Sequence, residues 1–438
     1  MTVREIALKL LVELEVDGKY ANLSLSSSAV RALDERERGW LTVLFYTTVE
    51  HKLTYDYIIG ALAKRELDKI DLRVKNILRL GMCQVLHISS VPDFAAVSET
   101  VKLAHHKGEA GFINGVLRAL VRAKAEGNIP MPPREKNAAR YLSVKYSYPL
   151  WIVKHFISLL GESECERLLD YFNTERYTDI TVNTAKISVG DLVDKFKKQG
   201  VDAVASQRVP FSVRLLGSVD PRLLEGFDEG HFFVQDEACA IAVSLLDVGE
   251  GMSVLDACSA PGGKSLCAAI LGGDSCKITA SDIHESKLSL IEEGVCRLGL
   301  KSISVRERDA SVAYPEECEK YDRVICDVPC SGLGVLGKKP DLRYRSKDAL
   351  ADLPSLQYDI LNSVSGALKV GGILVYSTCT LNPSENEETV KRFLDGHPEF
   401  SPVDFSVADI SSHSGTVTLL PHEHKTDGFF IAKLRKES

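Results

Sequence analysis

The sequence predicts a multidomain protein: an all-α bundle over residues 1–142, a small α/β linking subdomain over 143–230, and a doubly wound α/β domain over 231–438. Three observations predict it. A chain of 438 residues exceeds a single compact core at the usual domain size. Apolar residues recur at helical spacing through the first third. Short apolar runs alternate with helical patterns through the last part, which is the signature of a mainly parallel sheet covered on both faces.

In the first segment Ile6, Leu10 and Leu14 fall on one helical face, with Val3, Ala7 and Leu11 beside them. Phe112, Ile113, Val116, Leu117, Leu120 and Val121 make a second stripe, and apolar clusters at Trp40–Phe45, Ile77–Leu80 and Val85–Ile88 lie between. The prolines of Pro130-Met131-Pro132-Pro133 then break the helical pattern. In the second segment Asp179–Asn183 and Val213–Leu216 have strand character, and Asp191–Gln199 is helical and closed by Gly200, which suggests a β-α-β unit. In the third segment the strand candidates are Ser253–Ala257, Lys277–Ser281, Ile303–Arg306, Arg323–Cys326, Ile373–Ser377 and Phe429–Lys433.

Hydrophobic residues make up 45% and charged residues 26%, which is globular material and excludes a disordered or fibrous chain. No run approaches the ~20 apolar residues of a membrane span, and charge at Arg4 and Glu5 precedes any apolar run, so no secretory signal is expected. Eleven cysteines without a spacing framework fit free thiols in a reducing, cytoplasmic compartment. No Cys-x-x-Cys pair or zinc-type His spacing occurs, so no metal is expected. The net charge of −8 argues against indiscriminate coating of nucleic acid, but the chain is asymmetric. Residues 1–140 hold 21 basic and 17 acidic side chains, and Lys102–Lys145 holds nine basic and three acidic. A local surface of that kind can meet phosphates, although a solvated helix face would read the same way.

In a doubly wound sheet the ligand sits beyond the carboxyl ends of the strands, so the residues just after each strand carry the chemistry. After the first comes Cys258-Ser259-Ala260-Pro261-Gly262-Gly263-Lys264, a loop of small residues that lets backbone approach a ligand at a helix start. Gly-Gly-Lys-Ser resembles part of a phosphate-binding P-loop, but Cys258 stands where that motif needs glycine. Asp282 follows the second strand, where an acid can accept hydrogen bonds from ribose hydroxyls, and Asp309 follows the third. The Gly-x-Gly-x-x-Gly fingerprint of dinucleotide dehydrogenases is absent. Asp327-Val328-Pro329-Cys330 follows the fourth strand and Thr378-Cys379 the fifth, so two cysteines are expected to face one crevice. Cys83, Cys165, Cys239, Cys267, Cys276, Cys296, Cys318 and Cys326 read as small buried hydrophobes, and Cys258 as either loop or packing.

These motifs together resemble those of the RNA cytosine-5 methyltransferases. Phe112-Ile113-Asn114-Gly115-Val116-Leu117-Arg118 makes the first segment similar to the NusB fold, and the combination resembles the bacterial Sun/Fmu family that methylates 16S ribosomal RNA. Val234-Gln235-Asp236 and Asp427-Gly428-Phe429-Phe430 also match. Ser259, where the family more often has alanine, and Lys338-Lys339-Pro340-Asp341 depart from the pattern.

The resemblance implies a NusB-like RNA-binding bundle and a Rossmann-like methyltransferase domain that uses S-adenosyl-L-methionine. It implies Cys379 as the nucleophile toward cytosine carbon 6 and Cys330 as the residue assisting proton removal or release. Asp327 and Lys264 would meet the base. Cys258–Lys264, Asp282, Asp309 and Asp327 would hold the cofactor. The implied partner is 16S ribosomal RNA before or during small-subunit assembly; separately, a monomer is expected, with no membrane or metal partner. A transfer RNA substrate, or a non-catalytic assembly factor on the same fold, stays open at this point.

Overall fold

The computed structural model describes residues 1–17, 28–174, 177–217 and 219–438, and the chain forms two compact units. The first comprises Met1–Asn173 and Leu336–Arg345; the second comprises Thr174–Val335 and Ser346–Ser438.

The first unit is helical. Its long helices include Val3–Asp17, Glu35–Glu50, Lys52–Ala63, Leu72–His87 and Lys107–Ala125. Local chemistry starts them where the apolar patterns begin. Asp34 accepts from the Glu37 amide while the Glu37 side chain reaches back to the Asp34 amide, closing a capping box. The Asp71 carboxylate likewise caps Leu72–His87. Of the expected stripes, Ile6, Leu10, Ile113, Val116, Leu117 and Leu120 are buried, and Leu14, Phe112 and Val121 flank the same core. Helices resume after the prolines with Ala138–Tyr146, Leu150–Leu160 and Glu162–Thr174.

Segment Leu336–Arg345 packs inside this helical unit. Arg343 is fully buried there. Its guanidinium lies 3.9 Å over the Tyr148 ring and donates to the Glu50 carbonyl at 3.1 Å and Asn173 Oδ1 at 2.9 Å. The Tyr344 hydroxyl donates to the Val49 carbonyl at 2.7 Å.

The second unit holds two main sheets. The smaller contains β1 (Tyr177–Val182), β2 (Ala203–Ala205), β3 (Ser212–Leu216) and β4 (Phe232–Val234) in the order β2-β3-β1-β4. The strands pair antiparallel, with helix Val189–Lys198 beside them. The larger contains β5 (Ser253–Asp256), β6 (Lys277–Asp282), β7 (Ile303–Glu307), β8 (Tyr321–Asp327), β9 (Leu368–Thr378), β10 (Phe400–Pro402), β13 (Thr416–Leu419) and β14 (Phe429–Lys436). A two-residue ribbon, β11 (Ser406–Val407) with β12 (Ile410–Ser411), stands apart.

The large sheet runs β10-β14-β9-β8-β5-β6-β7, with β13 on β14. Strands β5 to β9 are parallel, while β14, β10 and β13 pair antiparallel. Runs such as Val324-Ile325-Cys326 and Ile373–Tyr376 are buried throughout, as strands covered on both faces require. All six strand candidates of the third segment are present. The order reverses at β5, between β6 and β8, and this switch point opens a crevice at the carboxyl ends of the strands. Among the described residues no helix is long and apolar enough to cross a membrane.

One backbone contact braces this crevice. The Gly334 amide donates to the Cys379 carbonyl at 3.0 Å, and the Gly428 amide donates to the Gly334 carbonyl at 2.9 Å. A Cβ on Gly334 would overlap the Gly428 carbonyl. Gly334→Ala is therefore expected to cost about 2 kcal/mol, lowering Tm by roughly 4–8 °C. Gly111→Ala, on a helix with nothing within 4 Å of the added carbon, should leave Tm unchanged or raised. Thermal unfolding of both variants checks the contrast, and an unchanged Tm in Gly334→Ala would show that the approach is not tight.

Candidate active site

The crevice is built from five successive strand ends. Cys258–Gly262 leaves β5 and turns into helix Gly263–Leu271, with Gly262 at φ 106° as its cap. That left-handed backbone is open to glycine and strained for other residues. The Ser259 hydroxyl donates to the Ser281 carbonyl at 3.0 Å, so the departure at this position is satisfied inside the loop. Asp282 ends β6 and accepts from the His284 amide at 3.0 Å and the Ala260 amide at 3.3 Å. Two of its roughly four lone-pair sites are thereby used. Asp309 follows β7; its carboxylate accepts from the Ser311 amide at 2.9 Å and hydroxyl at 2.6 Å, and these bonds hold its pKa below the usual range.

Parallel pairing of β8 with β9 sets Asp327 opposite Ser377, and the Ser377 hydroxyl donates to Asp327 Oδ1 at 2.7 Å. Asp327 Oδ2 lies 2.5 Å from Lys264 Nζ. Burial alone would lower the Lys264 pKa, but the Asp327 carboxylate overrides it and holds the ammonium charged. The same ammonium lies 3.6 Å from Cys239 Sγ and 5.5 Å over the Phe429 ring. Burial pushes the Cys239 thiol up to about 12, so it stays protonated beside the cation.

Cys330 Sγ and Cys379 Sγ meet at 3.1 Å. The Cys330 thiol is pushed well above its usual pKa, first by its hydrogen bond to Cys379 and then by burial, with the Glu385 and Asp327 charges adding to the shift. Either sulfur of the contact can donate its S–H to the other. Two sulfurs in contact beside a half-buried cation–carboxylate pair can deliver a nucleophile and a proton to one face of a planar polar ring.

The structure thus joins Cys330 to Cys379 and Lys264 to Asp327, and brings the Ala260 amide onto Asp282. Cys83, Cys165, Cys267, Cys276 and Cys326 are buried as expected. Cys296 and Cys318 are not: both are exposed, Cys296 on the outer side of helix Glu285–Leu298 and Cys318 in a surface turn. Cys239, also expected to be inert packing, stands against Lys264 instead. Sequence reasoning gave Asp256 no role beyond heading the first loop and missed Glu385, Gln357 and Asn386 altogether. The run Asn382-Pro383-Ser384-Glu385-Asn386, directly after the Cys379 loop, carried the available signal: an acid between amides too close to the strand end to be a free surface.

A family model described as 16S rRNA methyltransferase RsmB/F matches residues 243–435, a NusB family model matches 1–122, and an RsmF/B-like ferredoxin-like domain matches 148–221. A protein of Bacillus subtilis named as a probable ribosomal RNA small subunit methyltransferase B is 35% identical over 100% of this chain and 99% of its own. The chain belongs to the ribosomal RNA small subunit methyltransferase B family. A Synechocystis member of the family with the same name is 34% identical over 100% of both chains. The solved structure of PH0851 superposes with a TM-score of 0.80 and 27% identity over 100% of this chain and 99% of that one. The NusB-like bundle, ferredoxin-like sheet and Rossmann-like methyltransferase domain are thus those of the family.

Asp256, at the switch point, carries a measurable cost. Burial pushes its pKa up to about 7; the Ser265 hydroxyl at 2.6 Å and Lys264 oppose the shift, and Asp327 and Asp282 add to it. In the unfolded chain it titrates near 4, as aspartate ordinarily does. Between these values the folded state binds more protons, so stability falls as pH rises from about 4 to about 7 and is then flat. Three units correspond to at most about 4 kcal/mol. Asp256→Asn keeps a carbonyl acceptor for Ser265. It is expected to lose this slope, exceeding the parent by about 1–4 kcal/mol at pH 8 and matching it near pH 4. Denaturant titrations at the two pH values check it, and parallel pH dependences of the two proteins would reject it.

Proposed function

We propose that this chain transfers a methyl group from S-adenosyl-L-methionine to carbon 5 of a specific cytosine in 16S ribosomal RNA through a covalent bond between Cys379 and cytosine carbon 6. The observation that carries the proposal is the contact of the Cys330 and Cys379 thiols at 3.1 Å, one strand end away from the Lys264–Asp327 pair. Family membership supports the substrate class, and the names of its relatives support small-subunit ribosomal RNA.

The residues fit the cofactor. The loop Cys258–Lys264 brings backbone to the switch point, Asp282 has lone pairs for ribose hydroxyls, and Asp309 stands at the next strand end. Asp327 borders the same crevice and would meet both cofactor and base. Bound S-adenosyl-L-methionine supplies an electrophilic methyl group.

Carbon 5 of cytosine is too weak a nucleophile to take that methyl unaided. Addition of the Cys379 thiolate to carbon 6 makes carbon 5 enamine-like. With Cys379 as the thiolate, the contact at 3.1 Å lets the Cys330 S–H donate to it and stabilise it before attack. Asp327 accepts a hydrogen bond from the exocyclic amine, and the Lys264 ammonium offsets the negative charge that develops on the ring as the thiolate adds. To regenerate the enzyme, Cys330 passes its proton to the departing Cys379 sulfur and regains one from carbon 5. The base must leave its stack to reach this crevice. The exposed Lys107, Arg118 and Arg122 of helix Lys107–Ala125 supply a phosphate-binding face in the NusB-like unit.

Cys379→Ala is expected to abolish methylation with cofactor affinity nearly unchanged. Cys330→Ala should form the adduct but release it slowly, accumulating a protein–RNA species that survives denaturing electrophoresis. The double variant should show none. An adduct trapped by Cys379→Ala instead would make Cys330 the nucleophile.

A further inference from the structure

Beneath the two cysteine loops lies a fully buried carboxylate, Glu385, to which the chemistry above assigns no part. It accepts from the Ser331 amide at 2.9 Å, the Ser331 hydroxyl at 2.5 Å, Gln357 Nε2 at 2.9 Å and Asn382 Nδ2 at 2.9 Å. Ser331 directly follows Cys330. Gln357 Nε2 also donates to the Pro329 carbonyl at 2.9 Å, so both neighbours of Cys330 are tied to this cluster. The other side is tied as well. Thr380, directly after Cys379, shares a 2.7 Å hydrogen bond with the Ser331 hydroxyl. Asn386, next to Glu385, accepts from the Thr378 hydroxyl at 2.6 Å and donates to the Thr380 carbonyl at 3.0 Å. The Tyr376 hydroxyl fixes the Glu385 carbonyl at 2.6 Å.

We propose that Glu385 is a positioning residue that clamps the Cys330 loop to the Cys379 loop and so sets the contact between the two thiols. The mechanistic value of that contact rests on the reaction proposed above; the clamp itself does not. A buried carboxylate must have its lone pairs filled by donors, and here the donors come from three separate segments: the turn after β8, helix Leu353–Ser365, and the turn after β9. An apolar side chain of the same size would fill the space without joining them. A neutral amide would turn its own N–H groups toward a donor, leaving two donors face to face in a buried site.

Diamide tests the geometry directly. It takes both thiol hydrogens, becoming the hydrazine, and leaves a Cys330–Cys379 disulfide, which forms readily only where the sulfurs already meet. In the full-length protein, disulfide formation measured by peptide mass spectrometry is expected to be fast. Glu385→Gln should slow it roughly tenfold or more. Ser331→Ala, which removes one donor and keeps the charge, should slow it to an intermediate degree; should Glu385→Gln fail to fold, this variant decides. In the methylation assay Glu385→Gln should lower kcat with the KM for S-adenosyl-L-methionine unchanged.

Disulfide formation at the parent rate in both variants overturns the clamp, even where the parent methylates cytosine. Slowed disulfide formation in a protein that makes no 5-methylcytosine upholds the clamp and removes the reaction proposed for it.

Discussion

The site depends on the parallel pairing of β8 with β9. That register puts Asp327 level with Ser377, so the chain leaves both strands at the same height and Cys330 and Cys379 emerge side by side. The rest of the crevice follows from it. Asp327 can reach Lys264 only because β5 adjoins β8 on the other side and starts the helix that carries the lysine. A one-residue slip would turn Asp327 to the opposite face of the sheet and separate the thiols. The register is protected by burial on both faces, where Val324, Ile325, Leu374 and Val375 exchange almost no surface with water.

Charge in the crevice is arranged around one cation. Lys264 is surrounded by Asp327, Cys239 and the Phe429 ring, and Asp256 lies behind it. The acid nearest the ammonium is positioned to accept, while Asp256, deprived of water, is driven toward its neutral form. Both neighbouring thiols are pushed up, Cys330 first by its hydrogen bond to Cys379 and Cys239 by burial.

Much of this was legible in the sequence for a physical reason. In a doubly wound sheet the strands are continuous apolar runs, and the functional residues follow them immediately. Cys258–Lys264, Asp282, Asp327-Val328-Pro329-Cys330 and Thr378-Cys379 could therefore be found by reading past each run. What escaped was whatever depends on contacts between distant segments. Nothing in the neighbourhood of Glu385 reveals that Ser331 and Gln357 converge on it, because those partners lie 54 and 28 residues away. Short strands also escaped. Ala203–Ala205 and Phe400–Pro402 hold three residues each, too few to establish an alternation. The exposure of Cys296 and Cys318 escaped because a cysteine's burial is set by the face of the element it occupies, and composition carries no sign of that face.

The seat of Leu336–Arg345 inside the helical unit has a consequence for how the molecule can be taken apart. The polypeptide enters that unit twice, at its start and again between the cysteine-bearing loop and the next helix of the methyltransferase domain. Arg343 fills a fully buried position there, so the second entry is part of the core and not an overlying strand of loop. The two modules therefore cannot be separated by a single cut, as beads on a string can. Removing the N-terminal residues would strip the seat from the ten residues Leu336–Arg345 of the remaining chain and take the Glu50 and Asn173 acceptors from the Arg343 guanidinium.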